Sequence, residues 1–135
     1  MVLVDTNVLI DVLADDPRWA DWSIHQLRAQ SRVHALAINA VVYAELALTF
    51  DRFEALDETI EQLQLQLLEI PRPALFLAGK AFARYRRAGG VKEGVLADFF
   101  IGAHASVEGC ALLTRDVRRY RSYFPGLQLI SPGES

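Results

Sequence analysis

The sequence predicts a single α/β domain in which a short parallel β-sheet is flanked by helices on both faces. The chain has 135 residues, a length that fits one domain with a substantial core. Short apolar runs alternate along it with longer helical patterns, and no internal repeat or linker interrupts the alternation. Strands that alternate with helices favour a parallel sheet covered on both faces. We therefore expect residues 1–135 to form one domain.

In the first half of the chain, strand and helix signals follow one another closely. The apolar run 1–4 ends at Asp5, and the Asp-Thr-Asn at 5–7 is typical of a helix start, because these side chains accept hydrogen bonds from free backbone N–H groups. Asn39 is expected to cap a helix in the same way. The predicted strands are 1–4, 34–38 and 67–70, and the predicted helices run from 5 to about 14, from 18 to about 30, from 40 to about 50 and from there to about 66.

The second half continues the alternation. Pro73 suits the first turn of a helix, and Gly109 suits a helix end. Ligand sites in parallel sheets lie beyond the carboxyl ends of the strands, so functional residues are expected there. The predicted elements are helices at 73–87 and 97–108 and strands at 111–114 and 127–130, with a short turn or helix between these two strands.

Charge is distributed unevenly between the two halves. The formal net charge is −3, which by itself does not favour a nucleic-acid ligand. Residues 1–71 contain four basic and twelve acidic side chains, whereas residues 72–135 contain ten basic and five acidic ones. An acidic half thus precedes a basic one, and the net charge alone decides little about partners.

Other features of the composition favour a cytoplasmic protein. The single cysteine, Cys110, excludes an internal disulfide and a cysteine zinc site and suits a reducing compartment. No uninterrupted apolar stretch is long enough to span a bilayer, and the N-terminal apolar run lacks the basic flank of a signal peptide. We expect no membrane association. The P-loop, dinucleotide-binding and serine-hydrolase motifs are also absent from the sequence.

Four acids lie at strand ends or on apolar helix faces. Asp5 and Asp116 follow predicted strands, where capping or a turn explains each one alone. Asp98 lies in the first turn of its helix, where the dipole favours a negative charge, but its helical neighbours are apolar residues or glycine. Glu45 has apolar neighbours at 41, 42 and 48 and no Lys or Arg within a helical turn, so its charge needs a partner from elsewhere in the fold.

The predicted topology could bring these four acids together at one edge of the sheet. Clustered carboxylates raise one another's pKa values unless a cation holds them. Oxygen ligands without His or Cys select Mg²⁺ or Mn²⁺, and such a site supports metal-assisted phosphoryl chemistry. The spacing alone is equally compatible with four separate capping or turn acids.

The remaining acids are expected to lie on solvated surfaces. Asp11 shares a helix face with Asn7 and Asp15, which indicates exposure rather than a ligand role. The acids between 51 and 61 are expected to face solvent on a helix with the following buried stripe: Leu56, Ile60, Leu63 and Leu67.

Three blocks of the sequence resemble those of PIN-domain nucleases. They are Val-Leu-Val-Asp-Thr-Asn-Val-Leu-Ile-Asp at 2–11, Ala-Asp-Phe-Phe-Ile-Gly-Ala-His-Ala at 97–105 and Leu-Leu-Thr-Arg-Asp at 112–116. The similarity extends to the chain length and to the ending at 123–130, and it is greatest to the single-domain VapC-type toxins of bacterial toxin–antitoxin pairs. It implies the PIN fold and an endoribonuclease that depends on Mg²⁺ or Mn²⁺.

By this resemblance the four acids are the catalytic residues and metal ligands: Asp5, Glu45, Asp98 and Asp116. The family varies at the position of Asp116, which therefore binds the metal either directly or through water. Thr6, Asn7 and Thr114 lie where the family often places polar side chains that support the ligands. Ala97 departs from the Pro that many similar sequences have before the helix Asp, but no ligand is lost.

The resemblance also implies partners for the chain. Basic side chains that flank Asp98 and Asp116 in sequence are expected to hold the RNA backbone. A small cognate antitoxin protein and a homodimer are implied by the family. Two other functions remain open: a catalytically silent PIN module that binds RNA, and a metal-dependent phosphatase, although Asn7 stands where an aspartate-nucleophile phosphatase usually has Asp. The candidate RNA-binding residues are Arg84, Arg86, Arg87, Lys92 and Arg115.

Overall fold

The computed structural model describes residues 1–92 and 94–133. Glu93, in the predicted loop before residue 97, and the last two residues of the predicted domain lie outside the described residues. Within the described ranges the strands are β1 (Val2–Val4), β2 (Leu36–Asn39), β3 (Leu65–Leu68), β4 (Ala111–Leu113) and β5 (Leu129–Ile130). The helices are α1 (Thr6–Leu13), α2 (Ala20–Ser31), α3 (Ala40–Ala47), α4 (Phe53–Gln62), α5 (Arg72–Arg87), α6 (Leu96–Glu108) and α7 (Arg118–Tyr123).

The strands form one parallel sheet in the order β3-β2-β1-β4-β5. β1 lies at the centre, with Val2 opposite Leu36 of β2 and Val4 opposite Leu113 of β4. The chain builds outward from β1 to β3 and then crosses back to place β4 on the other side of β1. Because crossovers between parallel strands are right-handed, this reversal puts helices on both faces of the sheet. The predicted α/β fold is confirmed.

The core lies between the central strands and the helices that cover them. Leu3, Ile38 and Leu112 from the sheet are fully buried, as are Val42 of α3 and Ile101 of α6. These side chains remove apolar surface from water, which is the main favourable contribution to folding. Among the helices described here, none combines the length and the apolar character needed to cross a membrane.

Several helix boundaries lie where local sequence signals predict them. The Asn39 side chain accepts hydrogen bonds from the backbone N–H groups of Val41 and Val42, each at 3.0 Å, so it caps α3. Gly109 ends α6 with a φ of 67°, a left-handed conformation that glycine adopts without strain. Pro73 lies in the first turn of α5. These three predictions are confirmed.

The region after α4 differs from the prediction. α4 ends at Gln62 rather than near 66, because Gln64 takes a left-handed φ of 57° and the chain then enters β3. β3 spans Leu65–Leu68 and begins two residues before the predicted strand. Leu67 therefore lies in an edge strand and is 56% exposed, so it does not extend the buried helical stripe. Helical and strand periodicities overlap in this leucine-rich run, which is why the predicted boundary is wrong.

Candidate functional site

Asp5 directly follows β1, at the point where the strand order reverses between β1 and β4. It is 4% exposed and makes no capping hydrogen bond to α1, so capping does not explain it. Its Oδ2 instead accepts hydrogen bonds from Tyr120 Oη and Thr114 Oγ1, both at 2.8 Å, and from Asn7 Nδ2 at 3.4 Å. Oδ1 accepts none from the described residues, so one oxygen is fixed and the other is available.

The surroundings of the Asp5 carboxylate oppose its charge. Burial raises its pKa from 3.8 to about 7. The hydrogen bonds from Tyr120 and Thr114 lower the pKa, while the carboxylates of Asp98 and Glu45 raise it. Burial and the carboxylates of Asp5, Asp98 and Glu45 raise the pKa of the Tyr120 phenol well above its ordinary value, so the phenol remains a donor. Asp5, Glu45 and Asp98 are therefore electrostatically coupled.

Glu45 lies on α3 and receives its partner from another helix. The Thr6 hydroxyl at the start of α1 donates to Glu45 Oε1 at 2.5 Å, and Oε2 accepts no hydrogen bond from the described residues. The start of α3 is fixed to α6, because Asn39 Nδ2 donates to His104 Nδ1 at 3.1 Å and both side chains are buried. Burial lowers the pKa of His104, which favours the neutral ring that can accept this bond. No local sequence pattern marks this pair, because its members are 65 positions apart.

Asp98 lies in the first turn of α6 and is bound by an arginine from α7. Arg119 Nη1 donates to Asp98 Oδ2 at 2.5 Å, and the two side chains are 22% and 28% exposed. Burial raises the pKa of Asp98, Arg119 lowers it, and Glu45 and Asp116 raise it. Asp98 Oδ1 accepts no hydrogen bond from the described part of the chain. The ion pair therefore engages one of the two oxygens.

Asp116 follows β4 and differs from the other three acids because it is exposed. Its backbone N–H donates to Thr114 Oγ1 at 3.1 Å. Its carboxylate contributes to the raised pKa of Asp98, so the two acids are neighbours. Asp116 thus lies at the rim of the site, while Asp5 lies at its base.

The three polar residues that the sequence analysis expects beside the acids contact one of them or one another. Thr6 donates to Glu45, and the buried Thr114 donates to Asp5. Asn7 Nδ2 lies 3.2 Å from Thr114 Oγ1, and Asn7 Oδ1 accepts a hydrogen bond from the backbone N–H of Arg115 at 3.3 Å. Asn7 therefore connects α1 to the loop after β4.

Asp11 is buried, and the prediction that it faces solvent is wrong. It is 1% exposed and forms a two-point ion pair, in which Arg115 Nε donates to Oδ2 at 2.7 Å and Nη2 donates to Oδ1 at 3.0 Å. Ser23 Oγ of α2 adds a hydrogen bond to Oδ2 at 2.9 Å. The Arg115 guanidinium also lies 5.6 Å from the ring centre of Trp19. The face of α1 that carries Asp11 packs against other elements, which a helical pattern alone does not reveal.

The predicted RNA-binding residues on and after α5 form an exposed basic surface beside aromatic rings. The guanidinium of Arg84 lies 6.0 Å from the ring centre of Tyr123. Tyr123 packs edge-on against Phe99, the residue after Asp98, with ring centres 5.1 Å apart. An aromatic cluster therefore connects this surface to α6. The exposed basic residues are Arg84, Arg86, Arg87 and Lys92.

The donor chemistry of the site fits a hard divalent cation. Asp5, Glu45 and Asp98 each have one oxygen held by a protein donor and a second oxygen without one among the described residues. Carboxylates oriented by hydrogen-bond partners are ligands that Mg²⁺ and Mn²⁺ prefer. No three His, Cys, Asp or Glu side chains in residues 1–92 and 94–133 are spaced as a ready metal-binding group. One of the four acids, Asp98, forms an ion pair with Arg119.

Comparison with solved structures finds several that share this fold. FitAcB from Neisseria gonorrhoeae is 22% identical with a TM-score of 0.72, and the match covers 100% of both chains. VapBC2 from Rickettsia felis, bound to a DNA fragment from their promoter, is 20% identical with a TM-score of 0.72 over 97% of this chain and 98% of that chain. A toxin–antitoxin complex from Klebsiella pneumoniae is 22% identical with a TM-score of 0.68 over 100% of both chains. At these identities the likeness shows the fold alone.

The PIN domain family model matches residues 2–124. This range begins with β1 and includes α7, so it contains all four acids and the donors that contact them. No curated protein matches the chain. Because the family model covers nearly its whole length, the chain belongs to the PIN domain family.

Proposed function

We propose that the chain is a metal-dependent endoribonuclease that hydrolyses RNA phosphodiester bonds. The observation that carries the proposal is the buried Asp5 carboxylate, which is electrostatically coupled to Glu45 and Asp98 at the reversal between β1 and β4. A buried acid with two acidic neighbours is unfavourable unless a cation is bound nearby. Membership of the PIN domain family supports the same function.

Asp5, Glu45 and Asp98 would hold Mg²⁺ or Mn²⁺, and the exposed Asp116 would be a further ligand, directly or through water. When bound, the cation supplies positive charge that activates a water and stabilises the departing ribose oxygen. In the hydrolysis the water oxygen forms a bond to phosphorus while the bond from phosphorus to the ribose oxygen breaks. The site therefore needs carboxylates in which a protein donor holds one oxygen and the other oxygen can bind the cation.

Hydrogen-bond partners give the acids this property. Thr6 fixes one oxygen of Glu45, and Tyr120 and Thr114 fix one oxygen of Asp5. Each donor leaves the second oxygen for the cation, so the ligands are oriented before it binds. Removing such a partner typically lowers metal affinity about 10–100-fold.

The exposed basic surface on α5 would hold the RNA backbone. Its arginines and lysine attract phosphates, and the rings beside them offer faces on which bases can stack. Arg115 would contribute only the part of its guanidinium that Asp11 does not hold. The candidates are Arg84, Arg86, Arg87, Lys92 and Arg115.

We further propose that the chain is the toxin of a toxin–antitoxin pair and forms a homodimer. An apolar groove of about 430 Å³ lies beside Glu45, and Leu48 at its edge is 87% exposed. Exposed apolar surface next to a site indicates a protein contact, and a segment of an antitoxin in this groove would cover Glu45. Phe76 on α5 is also exposed and offers apolar surface for a second contact. The toxin–antitoxin complex from Klebsiella pneumoniae, which shares the fold, supports this assignment.

A catalytically silent RNA-binding module is the second candidate. The observation that favours it is the ion pair in which Arg119 neutralises Asp98. In such a module this pair is permanent, and the basic surface binds RNA without cleavage. The presence of carboxylates at all four family positions speaks against it.

Cleavage of a labelled single-stranded RNA by the purified protein tests the proposal. We expect cleavage with Mg²⁺ or Mn²⁺, none in EDTA, and a loss of at least about 100-fold in Glu45→Gln, because losing a ligand exceeds the effect of losing its partner. Glu61→Gln, which changes an exposed acid of α4, should keep full activity. Cleavage that survives both EDTA and Glu45→Gln would overturn the proposal. Tight RNA binding without metal-dependent cleavage would support the silent module.

A further inference from the structure

α7 carries two adjacent side chains that contact two different acids of the site. Tyr120 donates to Asp5, and Arg119 donates to Asp98. The phenol leaves the charge of Asp5 in place, whereas the guanidinium brings a full positive charge to Asp98. A cation that binds Asp98 therefore meets a positive charge that already occupies one of its oxygens.

The Arg119 side chain is also held by an aromatic ring. Its guanidinium lies 5.8 Å from the ring centre of Tyr85 on α5. Tyr85 packs against Tyr123, with ring centres 6.1 Å apart, and Tyr123 lies beside Arg84 of the basic surface. Arg119 therefore lies between the acids on one side and the basic surface of α5 on the other.

We propose that Arg119 and the divalent cation compete for the Asp98 carboxylate, and that the displaced guanidinium, still stacked on Tyr85, contacts an RNA phosphate. The inference rests on the proposed nuclease function and adds a switch to it. Arginine suits both positions, because its planar guanidinium binds carboxylate and phosphate groups through paired N–H donors. The cation and RNA then favour each other's binding, since each removes Arg119 from Asp98.

Mn²⁺ binding, measured by EPR spectroscopy, tests the competition without any need for cleavage. Arg119→Met removes the competitor, so we expect it to bind Mn²⁺ on the order of tenfold more tightly than the wild type. Arg118→Met is the matched control, because Arg118 is an exposed charge on the same helix that pairs with no acid among the described residues. We expect this control to change Mn²⁺ affinity by less than about twofold, since exposed charges are screened.

Thermal unfolding and kinetics separate competition from a purely structural role. A structural role predicts that Arg119→Met lowers the Tm equally with and without Mn²⁺. Competition predicts that the deficit seen in EDTA shrinks in saturating Mn²⁺, because the bound cation then neutralises Asp98. In saturating Mn²⁺ the KM for RNA should rise several-fold in Arg119→Met with a smaller change in kcat, and Arg118→Met should change both less.

The outcomes distinguish the inference from the function on which it rests. Unchanged or weaker Mn²⁺ binding in Arg119→Met, in a wild type that binds Mn²⁺ and cleaves RNA, overturns the inference alone. A wild type that neither binds Mn²⁺ nor cleaves RNA overturns both. If Arg119→Met does not fold, Arg119→Lys replaces it, because the strongly hydrated ammonium lacks paired donors and holds Asp98 less well. Mn²⁺ binding by Arg119→Lys that is no tighter than in the wild type also overturns the inference.

Discussion

Asp5 combines near-complete burial with a negative charge that its surroundings oppose. Burial raises its pKa from 3.8 to about 7, so the folded protein binds a proton at Asp5 more strongly than the unfolded chain does. The free energy of unfolding therefore falls as pH rises from about 4 to about 7, the window between the two pKa values. Above this window the whole cost of the buried charge is present unless a cation offsets it.

Asp5→Asn is expected to remove this pH dependence in EDTA. Asn keeps a carbonyl oxygen for the donors from Tyr120 and Thr114 but has no charge, so at about pH 8 its free energy of unfolding should exceed that of the wild type by roughly 2–4 kcal/mol. At about pH 4 the difference should be much smaller, because Asp5 is then protonated in the folded protein and roughly half protonated in the unfolded chain. Urea unfolding measures both values. Asp51→Asn, at an exposed position, is the control, and an equal difference at the two pH values contradicts the raised pKa.

At the residue scale, local sequence identifies the acids better than their partners. Asp5 follows an apolar run and Glu45 lies among apolar helix neighbours, so a short window of sequence singles out each one. Tyr120 contacts Asp5 from 115 positions away, and Arg119 contacts Asp98 from 21 positions away. No local pattern around α7 marks these side chains, because the contacts exist only in the folded chain.

At the element scale, the close approach of α7 to α6 depends on Gly102. A Cβ atom at this position would lie 2.6 Å from the Phe124 ring and 3.0 Å from the Tyr120 ring. These rings lie in and directly after α7, the helix that delivers a donor to Asp5. Because Gly102 has no side chain, α7 can pack close to α6, and this helps to position Tyr120 as a donor to Asp5.

Gly102→Ala is expected to disturb both stability and the site. The added methyl group forces the Phe124 and Tyr120 rings to move, which should lower the free energy of unfolding by about 1–3 kcal/mol and weaken Mn²⁺ binding through Asp5. Chemical unfolding and EPR spectroscopy measure the two effects. Gly79→Ala is the matched control in α5, because nothing lies within 4 Å of its added Cβ, and it should be stabilised by about 0.5–1 kcal/mol. The prediction fails if the two variants behave alike.

Element ends are predictable where one residue type determines them. Asn39 caps α3 through its side chain, and Gly109 ends α6 because of its positive φ. The end of α4 is not predictable from its sequence, because Gln64 takes a left-handed φ that its residue type does not signal. The predicted start of β3 is therefore also displaced, because the leucines that follow fit a helix and a strand equally well.

At the scale of the whole molecule, Asp11 and Arg115 join the beginning of the chain to its last third. Asp11 on α1 is 1% exposed, and Ser23 on α2 donates to the same carboxylate that Arg115 binds. The pair therefore holds α1, α2 and the loop after β4 in one arrangement. This loop contains Asp116 of the candidate site.

Arg115→Met should lower the free energy of unfolding by about 3 kcal/mol, because it leaves the buried Asp11 charge without its partner. This value is at the low end of the roughly 3–5 kcal/mol typical of a broken buried ion pair, because Arg115 is itself partly exposed. The double variant Asp11→Leu with Arg115→Met should recover most of the loss, since it removes both charges. Urea unfolding of the two variants measures the difference. Arg52→Met, which breaks the exposed pair with Glu54, should change stability little. A double variant no more stable than the single one contradicts the prediction.

The architecture is predictable from alternation alone, but the strand order is not. Apolar runs separated by helices favour a parallel sheet, which places Asp5 and Thr114 at the same edge. That β1 is central and has β4 as a neighbour depends on how the crossovers pack. The burial of Asp11 depends on this arrangement of elements. The helix pattern of α1 does not contain that information, so it wrongly predicts that Asp11 is exposed.

The central position of β1 also has a consequence for protein synthesis. Asp5 is synthesised before its donors Thr114 and Tyr120, which follow 109 and 115 positions later. At about 5–20 residues per second, translation needs roughly 6–23 s to add the second of them. The site therefore cannot assemble during this interval, so an antitoxin of the proposed kind that is made beforehand can be present when the site first forms.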